Sequence, residues 1–118
     1  EHRVDLYLSA TVHAYERTYP VANGTLCSRQ PRDRLRVFFE PCAPVYIANG
    51  DAGVPALRYG ERALPARWTA QRHPASGGVG ELTAHNATHL QYRQLSPGGG
   101  VTDEFWLLQA RGRPETAP

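Results

Sequence analysis

The sequence has no lysine and no methionine, and all 13 cationic side chains among its 118 residues are arginines. Frequent alanine and proline beside them point to GC-rich coding as the plain explanation. A start at Glu1-His2-Arg3, without methionine and directly before an apolar segment, suits a mature or truncated product. No apolar run approaches the roughly 18–20 residues of a membrane-spanning helix, and no secretory leader is recognisable. Gly-x-Ser-x-Gly, a phosphate-cradling P-loop and Cys-x-x-Cys are all missing, so a serine or cysteine nucleophile has no support. Charged residues make up only 20%, with a net charge of +2. The one basic cluster, Arg29, Arg32, Arg34 and Arg36, lies in a proline-containing stretch without interleaved aromatics. That pattern reads as a solvated loop, and no nucleic-acid partner is expected.

What is present suits one domain or part of one. A compact domain of this length buries roughly two-thirds of its unfolded surface. Eleven glycines and ten prolines favour short strands and many turns over long helices. Val4 to Ser9 reads as a strand covered on both faces. His13 to Pro20 then forms a loop at its carboxyl end, where ligands gather in open α/β sheets. Residues 21–43 are an excursion, within which Leu35 to Phe39 form a short strand or a packing anchor. Pro44 to Asn49 is a second strand, ended by the turn residues Gly50-Asp51-Ala52-Gly53. Residues 57–72 admit one short helix, in a region punctuated by Pro55, Pro65 and Pro74. Gly80 to Asn86 and Thr88 to Leu95 make a hairpin, the second arm alternating polar with apolar. Val101 to Gln109 is the last strand. Tyr46, Trp68, Phe105 and Trp106 read as core anchors.

Cys27 and Cys42 enclose the arginine-rich stretch, and two sequons accompany them, at Asn23 and Asn86. Together they favour an oxidising, glycosylating compartment. The expected Cys27–Cys42 bridge closes a loop worth about 3 kcal/mol by chain entropy. Two free thiols are the alternative.

The segment Val4-Asp5-Leu6-Tyr7-Leu8-Ser9-Ala10-Thr11-Val12-His13-Ala14-Tyr15-Glu16-Arg17 resembles the last metal-binding motif of the purple acid phosphatases, calcineurin-like metallophosphoesterases. Their pattern is an apolar strand followed by Gly-His-x-His-Ala-Tyr-Glu-Arg. His13 matches the second histidine, whereas Ala10-Thr11 stands where the family has Gly-His. Further likeness lies in Pro44 to Gly53, in Trp68-Thr69-Ala70-Gln71-Arg72, in the hairpin Gly80 to Leu90 and in Val101-Thr102-Asp103-Glu104-Phe105-Trp106. Residues 25–43 have no counterpart in the pattern.

The resemblance implies a β-rich α/β (α+β) fold, the C-terminal part of a metallophosphoesterase α/β/β/α sandwich, with about five to six strands and little helix. Residues 1–110 would form that portion and residues 111–118 a flexible tail. It further implies a binuclear metal centre, iron plus zinc, manganese or iron, hydrolysing phosphate monoesters at acidic pH. His13 would be the one metal ligand here. Thr11 would be a degenerate ligand position, because a neutral hydroxyl is a poor substitute for imidazole. Tyr15, Glu16 and Arg17 would hold the site through hydrogen bonds without touching metal. His85 and His89, spaced along a hairpin, are not expected to share an ion. The remaining ligands would come from upstream motifs outside this sequence. The chain is therefore expected to need the remainder of the domain, or a covering partner subunit, and to be inactive alone. The alternative is a degenerate structural or interaction subunit that keeps the fold and has lost the chemistry. The expected location is secreted or vacuolar-lysosomal.

Overall fold

In a computed structural model, residues 3–10, 12–27, 36–53 and 64–110 are described. They form ten strands and no helix: β1 Leu6–Ser9, β2 Ala14–Thr18, β3 Val21–Ala22, β4 Thr25–Leu26, β5 Val37–Phe39, β6 Val45–Asn49, β7 Thr69–Pro74, β8 Val79–Ala84, β9 His89–Leu95 and β10 Val101–Leu108. No helix among them is long and apolar enough to cross a membrane.

Two four-stranded sheets carry the architecture, in the orders β1-β6-β2-β7 and β5-β10-β9-β8. In the first, β1 runs parallel to β6, with Leu6 beside Val45 and Ser9 beside Ala48. β2 is antiparallel to both β6 and β7. In the second, β8, β9 and β10 form an antiparallel meander, and β5 adds a parallel edge beside β10. The small β3–β4 hairpin turns through Asn23-Gly24, whose φ angles of 50° and 69° are the pair that a two-residue type I′ turn requires.

The sheets face each other across one core. Tyr15, Val45 and Ile47 enter from the first sheet, and Phe38, Tyr92, Phe105 and Leu107 from the second, with Leu6, Tyr19 and Leu90 packed around them. These positions follow the two-residue strand period that sends alternate side chains to opposite faces. Tyr46 and Trp106 fall on the other parity. Tyr46 is exposed and meets Tyr7 on the outer face, while Trp106 stacks on His85. They are not the core anchors that their size suggests.

Three sequence expectations change. Ala14 to Thr18, expected as loop, is the strand β2, whose inward face holds Tyr15 and Arg17. A buried arginine hides the apolar alternation by which a strand is recognised. The helix expected within residues 57–72 is not present over 64–72, where β7 begins and pairs with β2; residues 57–63 lie outside the described residues, as does the tail 111–118. Strands outnumber the expected five to six because β2 and β7 show no apolar alternation and the two-residue strands β3 and β4 are too short to show a period. The β-rich fold class itself stands.

Cys27 and Cys42 form a disulfide with Cα atoms 5.8 Å apart, inside the usual range. It ties the end of β4 to the turn after β5.

Candidate functional site

β1 and β6 run parallel, so both carboxyl ends reach the same edge of the first sheet, where the antiparallel β2 begins. The connection from β1 to β2 must cross the end of β6, because β6 lies between them. Two interstrand spacings, about 10 Å, are covered by the few residues from Ala10 to His13. His13 is half-buried and immediately precedes β2. Thr11 lies outside the described residues. The Val12 carbonyl accepts the Ala14 N–H at 2.8 Å, and the Ala14 carbonyl accepts the Gly50 N–H at 3.2 Å.

Gly50 sits directly under this crossing. A methyl group there would lie 2.7 Å from the Val12 carbonyl carbon and 2.8 Å from the Ala10 oxygen, distances that backbone atoms do not tolerate. The next residue, Asp51, is 0% exposed. Its carboxylate accepts the backbone N–H groups of Ser76 and of Gly77 (3.0 Å), the Ser76 hydroxyl (3.2 Å) and the Gln94 amide (3.4 Å). Burial pushes its pKa upward, but the N–H groups of Ser76, Gly77 and Gly78 outweigh it, and the carboxyl stays below its ordinary value. Gln94, also fully buried, bonds Asn49 through both amide atoms, and the Asn49 amide bonds the Tyr92 hydroxyl at 3.0 Å. The end of β6 is thus tied to the second sheet.

Tyr15, Glu16 and Arg17 divide between two faces. Arg17, 2% exposed, grips Asp103 with Nε at 2.6 Å and an Nη2 at 3.0 Å. The Tyr15 hydroxyl donates to the same carboxylate at 2.7 Å. The guanidinium lies 5.1 Å over the Phe105 ring. Burial raises the Asp103 pKa; the Arg17 hydrogen bonds and charge, with Tyr15, more than reverse this, so the carboxyl titrates below its usual value. The Tyr15 phenol is driven far above its ordinary range, first by burial and then by the Asp103 charge. Glu16 faces the other way, accepting from the Thr69 hydroxyl at 2.8 Å and lying 3.8 Å from Arg72. None of the three is described in contact with His13; Tyr15 and Arg17 pin β2, the strand His13 leads into, to β10.

The buried roles of Asn49, Gln94 and Asp103 escaped the sequence reading. Their signal was positional: Gln94 continues the inward row of Tyr92, and Asp103 that of Phe105 and Leu107, and a buried polar group demands a partner. His85 stacks on Trp106 at 4.9 Å with Nε2 2.8 Å from the Gln91 side-chain Oε1, and His89 meets the same indole edge-on at 6.5 Å with Nδ1 facing Thr88 and Asn86.

Beside the loop, Leu8, Ser9, Ala10, Asn49, Gly80, Leu82 and Tyr92 line a cavity of about 310 Å3. It lies between β1 and β8, each an edge strand of its sheet among the described residues. Among the described residues no group of three His, Cys, Asp or Glu side chains converges to hold a metal. Asp51 and Asp103 are committed to other partners. Among the described residues at the crossing, the half-buried His13 imidazole is a donor of the kind iron and zinc accept.

A family model for iron/zinc purple acid phosphatase-like protein C matches residues 43–104. Human acid phosphatase type 7 is 31% identical over 108 residues, covering 90% of this chain and 24% of its own length. Purple acid phosphatase 18 of Arabidopsis thaliana is 34% identical over 110 residues, covering 88% and 22%. Among solved structures, purple acid phosphatase PPD1 from yellow lupin seeds superposes with a TM-score of 0.70 at 19% identity, over 90% of this chain and 18% of that one. The chain therefore spans only about a quarter of the length of the curated relatives it matches. The match over more than half its residues nonetheless settles its kinship: the chain belongs to the iron/zinc purple acid phosphatase-like protein C family.

Proposed function

We propose that this chain is the distal part of a metal-dependent phosphomonoester hydrolase and contributes His13 as its one metal ligand. The observation that carries the reading is the placement of His13, half-buried on the crossing over the carboxyl ends of β1 and β6. Bound metal ions in such a site lower the pKa of water and neutralise phosphate oxygens. This chain's own part is to hold one imidazole on a braced loop. Tyr15, Arg17 and Asp103 fix the strand behind it, and Asn49, Asp51 and Gln94 fix the turn beneath it. Thr11 stands at the companion ligand position, where it offers no imidazole.

The remainder of the phosphatase domain is the proposed partner. β1 ends the first sheet as Leu-Tyr-Leu-Ser, without charge or proline, although natural free edges carry such protection against further pairing. Leu8 is 51% exposed and Leu82, on the facing free edge, is 46% exposed. An upstream segment that pairs with β1 and fills the cavity between them would cover both.

The isolated 118 residues are expected to hydrolyse no chromogenic phosphate ester at acidic pH and to bind no stoichiometric metal pair. Joined to the remainder of the domain, the same residues should do both, and replacing His13 by alanine should lower the bound iron. Turnover by the 118 residues alone contradicts the reading.

Asn23 and Asn86, both exposed in turns, are the proposed glycosylation sites, and the disulfide fits the same secreted or vacuolar-lysosomal location. Material from a secretory host should lose mass on peptide-N-glycosidase treatment, with Thr25→Ala and Thr88→Ala each removing one glycan. An unchanged mass would refute both assignments.

A further inference from the structure

We infer that Gly50 and Asp51 are positioning residues for His13, forming a latch that sets where the imidazole stands. This rests on the proposal that His13 is a metal ligand, and extends it to residues that touch no metal.

The argument starts from the crossing. The backbone around Ala10 and Val12 passes over Gly50 so closely that any side chain there would meet carbonyl atoms of both residues. Gly50 also donates its N–H to the Ala14 carbonyl, one residue past His13. The height of the crossing above the sheet is therefore set by Gly50. The position of Gly50 is set in turn by Asp51, which is fully buried and held by Ser76, Gly77 and Gln94. Ser76 and Gly77 lie between β7 and β8, and Gln94 on β9, so two separate segments converge on one carboxylate. No turn needs so many partners merely to reverse the chain, since Gly and Asp side chains suffice locally. The structure also admits no slack on the far side: a methyl at Gly78 would lie 2.6 Å from the Leu95 oxygen and 2.8 Å from the Asp51 carboxylate. A displacement at Asp51 therefore passes to Gly50, and from Gly50 to the backbone that carries His13. Residues that orient metal ligands without binding metal typically change metal affinity by about 10–100-fold when replaced.

Asp51→Asn keeps the size of the side chain but turns one acceptor into a donor that faces the Gln94 amide. Gly50→Ala lifts the crossing directly. The test uses the longer protein that carries this chain, loaded with iron and challenged with a chelator, and reads iron retained per protein over time. Both variants should lose iron about tenfold faster than the unaltered protein. Ser76→Ala, which removes one bond to Asp51 from an exposed residue, should lose it a few-fold faster. Leu107→Ala, a core truncation remote from the crossing, should retain iron normally below its own melting transition. If Gly50→Ala does not fold, Asp51→Asn and Ser76→Ala decide the matter. Should His13→Ala retain iron like the unaltered protein, the ligand assignment fails. Should His13→Ala lose iron while folded Asp51→Asn and Ser76→Ala do not, or should Leu107→Ala lose it equally fast, the latch fails and the ligand assignment survives.

Discussion

Replacing Arg17 by methionine should destabilise the fold by about 3–5 kcal/mol, the usual result of stripping one partner from a buried ion pair. Domains of this kind have only about 5–15 kcal/mol in total. The carboxylate of Asp103 is 5% exposed and takes two bonds from Arg17 and one from Tyr15. Without the guanidinium it is left buried with a phenol and one backbone N–H. Removing both partners, as Arg17→Met with Asp103→Leu, should restore much of the loss, because no charge is then stranded. Urea midpoints in the longer protein provide the check. The dependence on pH should reverse as well. In the unaltered chain the Asp103 pKa is depressed, so its contribution is complete above the unfolded value near 3.9 and is lost as pH falls through the lower folded value. In Arg17→Met burial dominates and the folded pKa rises, so the variant should gain stability on acidification from about pH 7 to 5, where the unaltered chain stays level. A midpoint indifferent to Arg17→Met would mean that the pair contributes nothing.

Phe105→Ala should cost a comparable amount, about 3–5 kcal/mol. Phe105 is 1% exposed and stands where the two sheets meet. Its ring lies 5.5 Å from Tyr92 and 6.0 Å from Phe38, with the Arg17 guanidinium above its face. Truncation opens a cavity that these three neighbours, anchored in strands, are poorly able to fill, and it removes the cation–π contact as well. Trp106, the next residue, has the larger side chain but points outward to His85, so Trp106→Ala should cost clearly less. Equal losses from the two substitutions, read from urea midpoints, would show that the inward and outward rows of β10 have been misassigned.

Much of this arrangement was legible before any coordinates. β1, β6 and the β8–β9–β10 meander are marked by apolar runs or alternation, and their turns by glycine and proline. β2 was not, because its inward residues are a tyrosine and an arginine, and the arginine's partner is supplied by a strand far along the chain. β7, reading Thr-Ala-Gln-Arg-His-Pro, has no apolar face; as an edge strand it is held by backbone pairing to β2, which leaves no periodic trace. His13 was found through its motif. The segment beneath it was read only as a turn, since the contacts of Asp51 with Ser76 and Gln94 join distant parts of the chain, and spacing gives no hint that they converge.

The two parallel pairings also dictate an order of events in time. Among the described strands, β1 has no neighbour until β6 exists, and β5 none until β10 exists. Each sheet must therefore keep an early segment waiting for a later one. Apart from the two-residue arms of the β3–β4 hairpin, β8, β9 and β10 are the described strands adjacent both along the chain and in space, so that meander is the natural seed on which the earlier strands assemble.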